Sequence, residues 1–67
     1  MIWENFQAAA LREVEAALAA EIAARRRHWI GGVPTPSDIT GIVRDVAHRL
    51  RADPEEVRAA LPPMEVV

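Results

Sequence analysis

Apolar positions in the first part of this chain recur with helical spacing and show no strand-like alternation. From Trp3 to about His28 there is no Gly or Pro, and Ala, Leu, Glu and Arg dominate, all good helix formers. On a helical wheel Trp3, Leu11, Val14, Leu18, Ile22 and Trp29 share one broad stripe, which predicts a long amphipathic helix over about residues 3–28. Arg25, Arg26 and Arg27 fall in its last turn, where positive charge opposes the negative end of the macrodipole. Glu21 and Arg25 have the acid-before-base spacing of a helical ion pair. Gly31-Gly32 then supplies the left-handed backbone that stops a helix.

A second apolar stripe follows the Val33-Pro34 linker. Thr35-Pro36-Ser37-Asp38 has the composition of a capping box, with Thr35 as N-cap, Pro36 at the first helical position and Asp38 at the third. Ile39, Ile42, Val43, Val46, Ala47 and Leu50 line one side of the resulting helix, 36–50, and Gly41 is its weak point. Asp53-Pro54-Glu55-Glu56 repeats the capping logic and opens a short helix over 54–61, with Val57 and Leu61 on its inner side. Pro62-Pro63 ends it and leaves an apolar tail, so that 62–67 packs back or stays free.

The expected fold is therefore all-α and a single domain. A long N-terminal helix has a medium helix packed back on it, and a short third helix turns a corner at the end. The predicted core is Leu11, Val14, Leu18, Ile22, Ile39, Val43, Val46, Leu50, Val57 and Leu61.

Val46 to Leu61 resembles the helix-turn-helix motif of bacterial and phage regulators. Ala47 stands where that family places a small residue between crossing helices. Leu50 closes the first helix, and Val57 and Leu61 anchor the second. The resemblance implies a dimeric regulator that contacts duplex DNA, with Arg49, Arg51 and Arg58 as its cations. Two departures count against that function. Arg51 stands where the family typically has Gly, so the left-handed turn residue is missing or the corner is differently made. The exposed start of the second helix carries Asp53, Glu55 and Glu56, which repel phosphate and disfavour nucleic acid as a partner.

Composition narrows the remaining classes. A chain of 67 residues is short for a self-sufficient core, and thirteen of its residues are Ala, each burying little area. With no Cys there is neither a disulfide nor a thiolate metal site, and the two His come from different predicted segments. Ser37 is accounted for by its place at a helix start, and no nucleophile, base and orienting group can be assembled. No catalytic residue, cofactor or metal is expected, and the chain reads as a non-enzyme.

No signal-like or membrane-spanning segment is legible either, so the expected location is the cytoplasm. Net charge is −2, with ten acids against eight Arg and no Lys. These features favour a small protein–protein interaction module, acting as a homo-oligomer or as an accessory or inhibitor subunit of a larger assembly, for instance a phage-related one. Trp3, Phe6 and the alanine face around Ala16 and Ala20 would supply apolar contact. Arg25, Arg26, Arg27 and Trp29 would orient the partner, since Arg and Trp are enriched at binding hot spots.

Overall fold

The computed structural model describes the backbone of residues 2–67 and the side chains of residues 11–67. Three helices follow in order: α1 over Ile2–Arg25, α2 over Pro36–Leu50 and α3 over Pro54–Ala59, with no strand among the described residues. Two 3-10 turns, Arg26–His28 and Ile30–Gly32, join α1 to α2. Regular α-helix thus stops at Arg25 instead of His28, and α3 stops at Ala59 instead of Leu61. In both places the chain tightens into the closer hydrogen bonding common at helix ends, with Leu61 N donating to Arg58 O at 3.2 Å.

The caps form much as their residue types require. Thr35 Oγ1 accepts from Asp38 N at 3.2 Å, and Thr35 N donates to Asp38 Oδ2 at 2.9 Å, a reciprocal box. At α3 the capping is simpler, with Asp53 Oδ1 accepting from Glu55 N at 2.9 Å. The corner between α2 and α3 does contain a left-handed residue. It is Arg51 itself, at φ 55° and ψ 42°, and Ala52 N donates back to Ala47 O at 2.9 Å.

Two ion pairs fix the direction of packing. Arg25 of α1 meets Asp45 of α2, and Glu21 of α1 meets Arg49 of α2, so the two helices run antiparallel. Between them lies the core: Val14, Leu18, Ile22, Ile39, Ile42, Val43, Val46, Ala47 and Val57. Leu18, Ile42, Val46 and Val57 are fully enclosed. Ile42 and Ala47 lie on the predicted α2 stripe but were not in the predicted core. Leu50 and Leu61 pack only partly buried at its edge.

Leu11 departs most from expectation, being 52% exposed. At the helical rise, the 24 residues of α1 span roughly 36 Å and the 15 of α2 roughly 22 Å. The shorter helix cannot cover the whole stripe, and among the described side chains of α1 the first it encloses is Val14.

Gly41 does not mediate a close backbone approach of α1. A Cβ built there would lie 3.9 Å from Arg25 Nη1, an ordinary contact distance. Gly41→Ala is therefore expected to stabilise the protein by up to about 1 kcal/mol. A urea midpoint that moves to higher concentration checks this, whereas a lowered midpoint would mean that the guanidinium needs the open space.

The tail packs back on the body. Met64 contacts the core, and Val67 N donates to the carbonyl of the buried Pro34 at 2.9 Å.

Candidate functional site

The end of α1 gathers the basic run, an aromatic residue and, among the described residues, the most exposed large apolar side chain. After Arg25 the chain makes one 3-10 turn, extends at Trp29 (φ −94°, ψ 138°), and makes another. Trp29 N donates to Arg26 O at 3.1 Å, Gly32 N to Trp29 O at 3.0 Å, and Val33 N to Ile30 O at 3.2 Å. Gly31 and Gly32 take φ values of 65° and 73°, which an L side chain would resist. This double turn swings Trp29 back against the core and points the next residue outward. Ile30 is 95% exposed.

Beside this knuckle is a cleft of about 570 Å³. Trp29, Ile30, Val33 and Val67 supply its apolar lining, and Arg25, His28, Thr35 and Asp38 its polar lining. Several of these polar groups are already engaged. Asp38 accepts from both the backbone N and the Oγ1 of Thr35. Arg25 donates from Nε to Glu21 Oε1 at 3.0 Å and from Nη2 to Asp45 Oδ2 at 2.7 Å.

Glu21 accepts in turn from Arg49 Nη2 at 2.9 Å, completing a chain of charges along the α1–α2 seam. The hydrogen bond from Arg49, helped by the charge of Arg25, holds the Glu21 carboxyl below its usual range. The hydrogen bond from Arg25 does the same for Asp45, and the bond to Asp45 raises Arg25 above its ordinary value. Carboxyls with lowered folded values contribute stability that is complete above the ordinary carboxylate range and is lost as pH falls through the lowered values. The raised Arg25 acts the other way, contributing at all acidic and neutral pH and losing its share only in strong base.

Stability is thus expected to decline from about pH 4 downward as the seam is protonated. Glu21→Gln should flatten that decline and lower stability at neutral pH by up to about 1 kcal/mol. Urea melts at a series of acidic pH values check it, and parallel curves for the two proteins would remove Glu21 from the account.

The other sequence-derived candidates are scattered. Ala16 and Ala20 are exposed on α1, and Arg26 and Arg27 are exposed at the knuckle. Arg25 is an internal tether and Trp29 is half-buried against the core, so neither is wholly available to a partner. The side chains of Trp3 and Phe6 lie outside the described residues. Arg49 is paired with Glu21, Arg58 Nη2 donates to Thr40 Oγ1 at 3.3 Å, and Arg51 closes α2. Among the described residues no His, Asp and Glu cluster is placed to hold a metal ion, and no helix is long and apolar enough to cross a membrane.

No protein-family model matches this chain, and comparison with curated proteins and with solved structures finds no match. What the surface can do therefore rests on its own chemistry.

Sequence reasoning passed over Ile30. A signal was present, because continuing the α1 wheel puts Ile30 far from the stripe shared by Leu18 and Ile22. A large aliphatic residue off the stripe and just before Gly-Gly is a candidate for exposure.

Proposed function

We propose that this protein is a small, non-catalytic interaction module, an accessory subunit that docks on a partner protein through the knuckle at the end of α1. The single observation that supports this most is Ile30, a large aliphatic side chain 95% exposed beside the apolar cleft. An aliphatic side chain gains about 1.5–3 kcal/mol on full burial, so one held outward by a defined double turn is a natural anchor. Arg26 and Arg27, exposed in the 3-10 turn that precedes it, would supply orienting charges. The exposed alanines at Ala16 and Ala20 are secondary, since each would contribute little buried area.

A dimeric helix-turn-helix regulator has less support. Its cations Arg49 and Arg58 are engaged within the protein, and the leading edge of α3 exposes Asp53, Glu55 and Glu56. Such a regulator would bind duplex DNA with a steep salt dependence.

Ile30→Asp separates these readings. Because Ile30 buries almost nothing in the chain itself, the variant should melt within about 0.5 kcal/mol of the parent. It should nevertheless lose capture of its partner from an extract of the source organism, or lose mass by light scattering if the partner is a second copy. Unchanged capture and unchanged mass would defeat the proposal. Salt-sensitive binding to duplex DNA that Arg49→Ala, Arg51→Ala and Arg58→Ala weaken would replace it with the regulator.

A further inference from the structure

Resting on that docking reading, we infer that the partner at the knuckle is a second copy of this chain, each copy seating its Ile30 in the other's cleft about a two-fold axis. Ile30 stands on the rim of the cleft yet is 95% exposed, so it leaves its own cleft unfilled. One face therefore carries an aliphatic knob and, beside it, an apolar hollow lined by Trp29, Val33 and Val67. A face with both halves is complementary to itself under a two-fold rotation, which makes every contact twice. The cleft volume of about 570 Å³ has room for one aliphatic side chain.

The knob is also held ready. Gly32 N donates to Trp29 O and Val33 N to Ile30 O, so Ile30 sits in a closed turn. Little backbone freedom is then left to lose on docking.

The polar groups of the face match in the same sense. Asp38 and His28 both line the cleft. Asp38 Oδ2 accepts from the backbone N–H and hydroxyl of Thr35, two neutral donors that leave its negative charge uncancelled. Among the described residues its Oδ1 accepts no hydrogen bond, and His28 is exposed. The rotation that exchanges the two Ile30 side chains carries His28 of each copy to the other's cleft. There a ring N–H gives the free carboxylate oxygen a donor.

An anionic bilayer would also receive a protruding Ile30 and would attract Arg26 and Arg27. It suits the acids of this face less, since Asp38 in the lining and the exposed Glu65, two residues before Val67, are repelled by anionic headgroups. A second copy makes use of Asp38.

Sedimentation equilibrium of the full chain provides the test, with backbone amide shifts to locate the contact. The mass is expected to rise from that of one chain toward two between micromolar and millimolar concentration, with the amides of Ile30, Gly31 and Val67 moving in step. Ile30→Glu sets a carboxylate against the partner's Asp38, and Val67→Lys puts a charge in the hollow. Each should weaken association about ten-fold or more. Mixed in equal amounts, the two variants should associate more tightly than either alone. The intact Ile30 of one then meets the intact cleft of the other, and the introduced carboxylate meets the introduced ammonium. Both positions are exposed, and matched thermal melts show that the variants remain folded.

A mass that stays at one chain up to millimolar concentration overturns the inference. So does association that Ile30→Glu leaves intact, that shifts the amides of Ala16 and Ala20 instead, or that mixing the variants fails to restore. Phosphatidylserine-containing vesicles that shift the Ile30 amide of a chain monomeric without them would assign the tip to a lipid surface. A monomeric chain whose Ile30→Asp variant still loses a captured protein would sink the second copy alone and leave the docking reading standing. A monomeric chain with unchanged capture would sink both.

Discussion

Leu18→Ala is expected to leave the protein largely unfolded in water. Leu18 is fully enclosed in the core that α1 and α2 share with Val57 of α3. Truncating an enclosed Leu costs about 2–5 kcal/mol, because the lost transfer energy is compounded by a cavity that collapses only in part. A single core in a chain of this size supplies only about 3–5 kcal/mol in total. One substitution therefore removes most of the margin.

Leu11→Ala is the control, since Leu11 lies on the same stripe but is 52% exposed. It should change stability by less than about 1 kcal/mol. Far-UV circular dichroism with urea titration measures both. If Leu18→Ala keeps a melting curve close to the parent while Leu11→Ala loses more, the register of α1 against α2 is wrong.

Val57→Ala is expected to detach α3 before it weakens the rest. Val57 is the one side chain of this six-residue helix that is buried, and it is fully enclosed. Helices below about 12–15 residues are marginal in isolation, so α3 exists because Val57 holds it to the body. Removing the two methyl groups should cost about 2 kcal/mol. Protection against hydrogen exchange should fall first at Ala60 and Leu61, whose amides bond within the α3 turn, while Val43 and Val46 in α2 stay better protected. An equal loss across α2 and α3 would show that the corner opens only with the whole fold.

These expectations separate what was legible along the chain from what was not. The Thr35–Asp38 capping box, the Asp53 cap, the Glu21–Arg25 pair and the α2 stripe could all be read in advance, because each links residues, successive ones in the stripe, no more than four positions apart. The Asp45 and Arg49 partners could not be read, since they lie 20 and 28 residues from Arg25 and Glu21. Their meeting depends on the antiparallel register of two helices. Arg51 illustrates another limit. Its type argues against left-handed backbone, yet the bond from Ala52 N to Ala47 O and the seating of Val57 hold it there.

The candidate site divides in the same way. Arg25 to Trp29 stood out as a basic run with an aromatic residue, and Gly31-Gly32 stood out as a stop. Which of those arginines remained available depended on whether Asp45 lay opposite, and it did so only for Arg25.

By itself the sequence determined the helices and their caps, because helix propensity, apolar period and capping chemistry act over a turn or two of backbone. Only the tertiary structure decided how far the core extends along α1, which charges are used internally and which face solvent. The inward Trp29 and outward Ile30 fall between the two, since the apolar stripe already separates them and the double turn realises it. Core extent and charge use depend on relative helix length and packing register, and such long-range quantities leave no local pattern in the chain.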